Sequence, residues 1–420
     1  MKNLLLFAYF YPPLGGPGVQ RPVKLIKYLD RNNWKTDVIT VKDIMFHSSD
    51  DQLASEDMTE KVIRTGSLDP MSFLGKIKKR SDRSKIYFDT PEKYKKIIRS
   101  LFPIDDKIGW LPYAIKAGRQ QLKTKRYDAI MATIGPYTSG LAAYKLSRQY
   151  RIPLIIDYRD HWTMNPYLPF ITPFHRKFSE HWEKRILEHS SVITTVSRTM
   201  KSDLLQKFGS QLSSKIKVMY NGWDEEDFSD VPVREKTKKI IIRYIGNFYG
   251  HQTPKYFIEA LKNLKKKNKL PEDIQIEFIG NYHSEVKNIF DKSSIANCIN
   301  ITPQVNHKQA IHSLMICDGL LLFIATHKGK GVLTGKLFEY LRSGKEILAM
   351  IPPDGEAAKI LKKNNYQFIT AMENAKNMEE QFIDFYRTIK KSKNIEFKIP
   401  AEYNRQNQTR NFISFVEGRI

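Results

Sequence analysis

Short runs of apolar residues alternate along the chain with longer segments in which apolar residues recur every three or four positions. The first apolar run covers residues 2–9, a helical pattern follows at 18–29, and a second apolar run occupies 35–41. Apolar runs of one strand's length are typical of buried strands in a parallel sheet, and the periodic segments are typical of the helices that cover such a sheet. The sequence therefore predicts an α/β fold of the doubly wound type.

The alternation forms two series, separated by a stretch without apolar periodicity. The first series ends with a predicted strand at residues 218–221, and the second begins with one at 239–245. The residues between them are acidic and then basic, contain Pro232, and are typical of a linker. We expect two Rossmann-like domains that face each other across a cleft, since open sheets bind ligands at the carboxyl ends of their strands. The predicted parts are a first domain at 1–223, a linker at 224–238, a second domain at 239–402 and a closing helix at 403–420 that packs back on the first domain.

The charge of the chain indicates an anionic partner. The 420 residues include 69 Lys and Arg against 45 Asp and Glu, a formal net charge of +24. Residues 61–130 alone hold 18 Lys and Arg against 7 Asp and Glu, a net +11. Within them, residues 93–102 have the pattern of a basic amphipathic helix, which either lies on a bilayer or turns its apolar stripe to a protein core. Segment 61–130 is therefore a candidate contact with an anionic membrane surface.

Composition excludes several classes of protein. Two cysteines are too few for a disulfide scaffold, and 12% aromatic residues argue against disorder. No apolar run has the length of a membrane-spanning helix, and the run at the amino terminus lacks a small-residue cleavage site. No helix-turn-helix, zinc or RNP motif accompanies the charge, so a specific nucleic-acid partner is not expected. We expect a cytoplasmic protein that is peripheral on the inner face of the plasma membrane.

A glycine-rich loop follows the first predicted strand. It runs from Tyr11 through Gly15, Gly16 and Gly18 into a helix that carries Arg21 in its first turn. Glycines allow backbone N–H groups to approach a ligand, and the helix start adds positive potential, so the loop is suited to an anion or a sugar hydroxyl. The GxGxxG spacing of a dinucleotide site is absent. A turn without a ligand role is the alternative.

A second glycine-rich loop, at residues 329–335, leads into another helix. Lys336 in the first turn adds a fixed positive charge to the free N–H groups and the helix dipole, a combination suited to a diphosphate. Leu337 follows where a Walker A loop has Ser or Thr. Glu339, one turn into the helix, can accept two hydroxyls such as those of a ribose. Taken alone, a glutamate at such a position is more often merely exposed.

Polar residues also follow the predicted strand at 153–157, which ends in Asp157. Arg159, Asp160 and His161 come directly after it, and we expect them to project into the predicted cleft. A carboxylate beside an imidazole can orient an acceptor hydroxyl and take its proton, because histidine titrates near neutral pH. The alternative is a salt bridge between Arg159 and Asp160 that only shapes the strand end.

The order of these features resembles the family 4 glycosyltransferases of the GT-B fold, particularly members that build bacterial surface polysaccharides. The landmarks are Tyr11-Pro-Pro with Gly15-Gly16 and Arg21, Asp157-Tyr-Arg-Asp160-His-Trp162, Val196-Ser197, Asn221-Gly222-Trp-Asp224, Tyr244-Ile-Gly246-Asn247, Phe278-Ile-Gly280, Thr334-Gly-Lys-Leu-Phe-Glu339-Tyr-Leu and Pro352-Pro-Asp-Gly355-Glu356. The resemblance implies transfer of a sugar from a nucleotide-diphosphate donor with retention of anomeric configuration, without a metal or other cofactor. It also implies an acceptor class, a lipid-linked saccharide in capsule, lipopolysaccharide or exopolysaccharide synthesis. The first domain is expected to bind this acceptor and the second domain the donor.

Three sets of site residues follow from the local chemistry and the resemblance together. The predicted donor-binding set is Gly15, Gly16, Gly246, Asn247, Val332, Leu333, Thr334, Gly335, Lys336 and Glu339. The predicted acceptor-binding set is Tyr11, Arg21 and Arg159. The predicted catalytic set is Asp160, His161 and Lys336, with no metal ligand.

Two parts of the donor site depart from the family pattern. Gly331 stands where the E-x7-E element, whose second glutamate matches Glu339, has its first glutamate. Asn247 and Gln252 stand where the family has basic residues that contact the diphosphate. A catalytically impaired protein of the same fold that binds a nucleotide-sugar or a glycan is therefore the alternative function.

Overall fold

The computed structural model divides the chain into two compact units. The first unit is Met1–Tyr220 together with Arg405–Ile420, and the second is Asn221–Asn404. The structure describes residues 1–42, 51–69, 102, 104–165, 170–232, 237–248, 250–291, 293–327, 329–391, 397 and 399–420. The start of the segment predicted as a linker is part of the second unit, where Asp224 caps a short 3-10 helix at Glu225–Phe228 and Phe228 is buried.

Each unit contains one parallel sheet. Over the described residues the first sheet has the strand order β3-β2-β1-β4-β5-β6-β7 and the second β10-β9-β8-β11-β12-β13. The strands of the first sheet are β1 (Lys2–Phe7), β2 (Trp34–Val41), β3 (Lys61–Thr65), β4 (Ala129–Ile134), β5 (Leu154–Tyr158), β6 (Val192–Thr195) and β7 (Ile216–Val218). Those of the second are β8 (Ile240–Ile245), β9 (Ile274–Ile279), β10 (Ile299–Thr302), β11 (Gly319–Phe323), β12 (Glu346–Met350) and β13 (Ile369–Thr370).

Helices connect the strands in both units. In chain order the described helices are α1 (Pro17–Asp30), α2 (Asp51–Ser55), α3 (Leu111–Thr124), α4 (Thr138–Tyr150), α5 (Pro173–His189), α6 (Arg198–Phe208), α7 (Lys255–Lys266), α8 (Ser284–Asp291), α9 (His307–Met315), α10 (Gly335–Ser343), α11 (Glu356–Lys363), α12 (Ala375–Lys391) and α13 (Arg405–Glu417). Several begin at a polar residue whose side chain accepts a hydrogen bond from the first turn. Thr172 accepts from the His175 N–H at the start of α5, and Ser197 accepts from the Met200 N–H at the start of α6.

The core of the first unit lies on both faces of its sheet. Leu5 and Phe7 of β1 belong to a buried cluster on one face, while Leu4 and Leu6 belong to a cluster on the other. This alternation follows from the two-residue period of a strand and explains why β1 reads as a continuous apolar run. Phe412 of α13 is buried in the second cluster, which places the last helix of the chain in the first unit.

The described part of segment 61–130 contains two elements that the sequence pattern did not predict. Residues 61–65 form β3, which pairs in parallel with β2. Residues 111–124 form α3, whose Ala114 and Ala117 are buried in the core of the first unit. In α3 the apolar residues Leu111, Ile115 and Leu122 do recur at helical spacing, but bases lie between them. In β3 only Val62 and Ile63 are apolar, which is too short a run to indicate a strand. The amphipathic pattern at 93–102 lies almost entirely outside the described residues.

The strand predicted at 218–221 was wrong in position. The last strand of the first sheet is β7, and its Ile216 is buried and pairs with Ile193 of β6. The apolar run continues past the paired residues, which explains the error. Among the described residues, none of the helices has the length and apolar character needed to cross a membrane.

Candidate functional site

In both sheets the order of the strands reverses at one point, and a crevice forms there in sheets of this kind. In the first unit the order reverses between β1 and β4, and in the second between β8 and β11. Ligands of doubly wound sheets bind outside the carboxyl ends of the strands at this switch point. The first glycine loop follows β1, and Gly246 and Asn247 follow β8, so both of these predicted donor-binding regions lie at a switch point.

Lys336 lies beside β8 in the second unit. Its Nζ donates a 2.9 Å hydrogen bond to the Tyr244 hydroxyl and lies 4.3 Å from the centre of the Tyr244 ring. Burial lowers the pKa of Lys336 to about 7, against an opposing effect of the Glu339 carboxylate. The ammonium group therefore has a neutral hydroxyl as its hydrogen-bond partner, and an anion that bound beside it would stabilise its charged form.

Gly246 makes this position of Lys336 possible. A Cβ atom at residue 246 would lie 2.3 Å from Lys336 Nζ, and the backbone has a φ of +124°, which side chains other than that of glycine rarely allow. The sequence predicted that Gly246 and Lys336 belong to one donor site. In the structure the two residues, 90 positions apart in the chain, are in direct contact.

Glu339 is oriented by a histidine that the sequence did not point to. His307 Nε2 lies 3.1 Å from Glu339 Oε1, and its Nδ1 lies 4.0 Å from Asp227 Oδ2. His307 is the first residue of α9, whose start is fixed by a capping box between Asn306 and Gln309. The sequence indicates a helix start at these capping residues. It gives no local signal for the pairing of His307 with Glu339, because the two residues are 32 positions apart.

Neutral amides occupy the carboxyl ends of β8, β9 and β10. Asn247 Oδ1 accepts a 2.7 Å hydrogen bond from the Asn281 N–H, and the Gln304 Oε1 accepts from both Asn281 and Asn247 side-chain amides at 3.2 and 3.4 Å. Gly280 allows the close approach, because a Cβ there would lie 2.9 Å from Asn247 Oδ1. A cluster of neutral donors and acceptors thus takes the position where the family has basic residues. Gln252 is partly buried and has no role that the structure defines.

The loop before α10 has a defined backbone. Val332 N donates to Gly329 O at 3.0 Å, and Glu356 N donates to Lys330 O at 2.8 Å. Thr334 is the N-cap residue of α10, but its side chain makes no capping hydrogen bond. The predicted donor residues Val332, Leu333, Thr334 and Gly335 therefore form a short ordered connection that ends at the first turn of α10, beside Lys336.

Arg21 in the first unit has a different environment from Lys336. It is 5% exposed, and its guanidinium pairs with both carboxylate oxygens of Asp157, with the shortest contact at 2.7 Å. Burial alone would raise the pKa of Asp157, but Arg21 and hydrogen bonds such as that from Thr194 hold it below the ordinary value. Arg21 also donates to Tyr220 O at 3.2 Å. The observed contacts are those of an internal ion pair, and acceptor binding by Arg21 stays a prediction.

Tyr11 is also an internal residue. It is 1% exposed, and its hydroxyl bonds to Asp57 at 2.6 Å and to Thr59. The glycine loop that follows it is held at Pro12, whose carbonyl accepts a 2.5 Å hydrogen bond from Arg64. Gly16 then has a φ of +97° and is the N-cap residue of α1.

Arg159 and Asp160 form the salt bridge that the sequence left open as an alternative. Arg159 Nε lies 3.5 Å from Asp160 Oδ2, and the same guanidinium donates to the carbonyls of Gly18 at 2.7 Å and Gly135 at 2.5 Å. Arg159 thereby joins the start of α1 and the loop after β4 to the end of β5. Asp160 is exposed, so its carboxylate faces solvent at this edge.

His161 has a carboxylate partner that the sequence did not indicate. Its Nε2 lies 3.0 Å from Asp203 Oδ2 of α6. Burial lowers the pKa of His161, although Asp203 opposes this effect. A neutral imidazole that is protonated on Nε2, the nitrogen beside Asp203, carries its lone pair on Nδ1, which is the arrangement needed to accept a proton.

A family model described as Glycosyltransferase Family 4 matches residues 18–227, and one described as Glycosyl transferases group 1 matches residues 225–398. The first match covers half of the chain. The chain belongs to glycosyltransferase family 4. The resemblance seen in the sequence is confirmed, and the protein is an enzyme, a glycosyltransferase.

Solved structures share the fold of this glycosyltransferase at low sequence identity. Sucrose-phosphate synthase from Thermosynechococcus elongatus has a TM-score of 0.65 and 12% identity, with 100% of this chain and 99% of that chain covered. The lipopolysaccharide outer core galactosyltransferase WaaB has a TM-score of 0.60 and 13% identity, with both chains covered in full at 100%. Anabaena HepE, in complex with UDP and glucose, has a TM-score of 0.59 and 14% identity, again with 100% of both chains covered. No curated protein sequence matches significantly.

These likenesses confirm the predicted fold class, an α/β protein of the GT-B type. Within this glycosyltransferase the structure brings Gly246, Lys336 and the start of α10 together, and it pairs Glu339 with His307. The roles assigned to individual residues remain predictions.

Proposed function

We propose that this glycosyltransferase binds a nucleotide-diphosphate-sugar in its second unit and transfers the sugar, with retention, to a lipid-linked saccharide. The proposed setting is capsule, lipopolysaccharide or exopolysaccharide synthesis at the inner face of the plasma membrane. The supporting observation is the environment of Lys336, whose pKa is lowered to about 7 beside Gly246 at the switch point of the second sheet. A diphosphate at this point would supply the anion that the ammonium group lacks.

The proposed donor pose follows from three neighbouring features. The diphosphate lies at the start of α10, where Lys336 and the helix N–H groups attract negative charge. The ribose lies one turn further, where Glu339 accepts its hydroxyls while His307 fixes one carboxylate oxygen. The amides of Asn247 and Gln304 contact uncharged polar groups of the donor rather than its phosphates.

The proposed reaction breaks the bond between the anomeric carbon and the diphosphate oxygen and forms a bond from that carbon to an acceptor oxygen. The electron pair of the broken bond goes to the diphosphate, where Lys336 stabilises the developing charge. One such donor supplies about 3 kcal/mol of transition-state stabilisation. The acceptor's proton passes to a base, for which His161 is the candidate because its pKa is lowered and Asp203 orients it.

The structural relatives support the choice of substrates. HepE was solved with UDP and glucose, and WaaB is described as a lipopolysaccharide galactosyltransferase. The basic segment 61–130, with its net charge of +11, supports a contact with an anionic membrane that carries the acceptor.

Transfer assays with a donor panel test this proposal. Purified protein is incubated with UDP-, GDP-, ADP- and dTDP-sugars and with lipid-linked saccharides, and the anomeric configuration of any product is determined by NMR. We expect one donor to give a product of retained configuration. Donor binding by calorimetry without turnover on any acceptor would favour the alternative, an impaired nucleotide-sugar-binding protein.

A further inference from the structure

The outer face of α5 carries large apolar side chains in contact with solvent. Phe174 is 69% exposed and Phe178 is 36% exposed, and Ile171, just before the helix, is 52% exposed. The Phe174 and Phe178 rings lie 6.0 Å apart, and Trp182 continues the row with its ring 6.4 Å from that of Phe178. The spacing of four places these side chains on one face of the helix. We call Ile171, Phe174 and Phe178 the apolar stripe of α5.

The stripe is not part of the core of the first unit. The opposite side of α5 carries the buried residues Ser179, Glu183, Ile186 and Leu187. A helix in a globular protein normally exposes polar residues opposite such a face. Contiguous apolar side chains that are exposed on this face therefore indicate a surface that binds something else.

The charges around the stripe indicate what it binds. Four exposed bases lie on the same helix, namely Arg176, Lys177, Lys184 and Arg185. Two of these bases are paired with acidic residues of the same helix, since Arg176 lies 3.3 Å from Glu180 and Lys184 lies 3.7 Å from Glu188. The third acidic residue, Glu183, is buried, which leaves Lys177 and Arg185 as the exposed bases of α5 that no acidic residue of the helix matches. Lys145 of the neighbouring α4 adds a further positive charge, 5.9 Å from the Trp182 ring centre. The surface thus combines apolar side chains with positive charge.

This combination is that of a helix lying in the interface of an anionic bilayer, where apolar side chains enter the headgroup region and bases meet lipid phosphates. A second copy of the chain fits less well, because pairing of the same face would bring the two sets of bases together. Glu183 of α5 accepts hydrogen bonds from Tyr158 and Thr163, so the helix packs against the end of β5, next to Asp160 and His161. A bilayer bound there would lie beside the proposed acceptor-binding edge.

We propose that the apolar stripe of α5 and its flanking bases dock the protein on the interface of an anionic membrane. This inference rests on the proposed function only in naming a lipid-linked acceptor as the reason for docking. The proposed contact is additional to the one proposed for segment 61–130.

Vesicle binding tests the proposal. The full chain is sedimented with vesicles of phosphatidylcholine and with vesicles of equimolar phosphatidylcholine and phosphatidylglycerol, at low and high salt. The wild-type protein should bind the anionic vesicles and be released by salt. Phe174→Ser/Phe178→Ser should lower the partition coefficient at least about tenfold, since interfacial binding scales with buried apolar area. Lys177→Ala/Arg185→Ala should lower it about 25-fold, since each base contributes about a factor of five.

Matched variants separate the stripe from general surface effects. Ile399→Ser, at another exposed apolar residue, and Lys266→Ala/Lys269→Ala, at exposed bases of the second unit, should leave binding unchanged. Phe174→Trp should retain it, because tryptophan is favoured at bilayer interfaces. Hydrolysis of a soluble nucleotide-sugar needs no membrane, so its rate should be equal in all variants. If the wild-type protein hydrolyses no nucleotide-sugar, the proposed function fails, and vesicle binding still tests the docking surface.

Three results would overturn the proposal. One is full binding to anionic vesicles by the Phe174→Ser/Phe178→Ser variant with a normal unfolding temperature. A second is loss of binding only when bases of segment 61–130 such as Lys78 and Lys79 are replaced. The third is a wild-type dimer that the serine variant converts to a monomer without any change in vesicle binding.

Discussion

Each unit has a glycine loop that leads into a helix carrying a base. The two regions look alike in the sequence, but the bases have different surroundings in the structure. Arg21 and Lys336 both lie in the first turn of a helix after a glycine loop. Arg21 is buried and paired with the carboxylate of Asp157, whereas Lys336 is partly exposed and bonds to the neutral hydroxyl of Tyr244. The comparison shows that the hydrogen-bond partner of a base distinguishes a structural role from a ligand-binding role. A base with an internal carboxylate stabilises the fold, and a base without one is available to an anionic ligand.

The largest expected effect is on stability, in the first unit. Arg21→Ala leaves Asp157 buried without its partner and should lower the free energy of unfolding by about 3 to 5 kcal/mol. Thermal and urea unfolding measure this loss. Lys2→Ala, which breaks an exposed pair with Glu417 at 3.3 Å, is the control and should cost about 1 kcal/mol or less. If the Arg21→Ala protein had normal stability but failed to use its acceptor, Arg21 would be an acceptor-binding residue and not part of a structural ion pair.

The second expected effect is on catalysis, in the second unit. Lys336→Ala should lower kcat/KM for transfer by about 100- to 1000-fold, because the departing diphosphate loses a charged donor. The fold should persist, since the side chain makes one hydrogen bond. Lys330→Ala, in the same loop but exposed and paired with Asp354, should have nearly wild-type kinetics. Equal activity of the two variants would remove Lys336 from the site.

A smaller effect is expected on donor affinity from the pair of Glu339 and His307. Glu339→Gln should weaken donor binding by about tenfold or more, since it removes charged hydrogen bonds to the ribose. His307→Gln should weaken it by only about two- to tenfold, because it changes the orientation of the carboxylate and not its presence. Calorimetry gives both affinities, and kcat should stay close to that of the wild type in His307→Gln. A larger effect for His307→Gln on kcat than on affinity would assign it another role.

A further effect is expected on the pH dependence of stability in the absence of donor. The pKa of Lys336 is about 7 in the folded protein against an ordinary value of 10.5, so the unfolded chain binds more protons between these values. The free energy of unfolding should therefore gain a positive contribution as pH rises from about 7 toward 10.5. Comparing unfolding of wild type and Lys336→Met across this range isolates the contribution. A difference independent of pH would contradict the lowered pKa.

The regular elements were largely predictable because they depend on local periodicity. The predicted helices at 138–150 and 255–266 coincide with α4 and α7, and the predicted strand at 274–279 coincides with β9. The strand β3 and the helix α3 were not predicted, because β3 has only two apolar residues and the apolar residues of α3 are interleaved with the bases of segment 61–130. Secondary structure with strong periodicity therefore follows from the sequence alone.

The site was predictable only in part, since its contacts join distant positions. Glycine loops and bases near helix starts were visible, and the structure brings Gly246 and Lys336 together. The carboxylate that pairs with Arg21 lies 136 positions away, and the histidine that orients Glu339 lies 32 positions away. Neither distance leaves a local signal, so the sequence could not distinguish the internal ion pair from the candidate binding site.

Donor binding measured by thermal shift tests the central claim most directly, namely that the second unit binds the donor through Lys336 and Glu339. Wild type, Lys336→Ala, Glu339→Gln and Lys330→Ala are scanned against UDP-, GDP-, ADP- and dTDP-sugars. A ligand that binds the folded state raises the unfolding temperature by mass action. We predict that one nucleotide class raises it in wild type and Lys330→Ala, and much less in the other two variants. An equal rise in all four proteins, or no rise with any donor, would contradict the account.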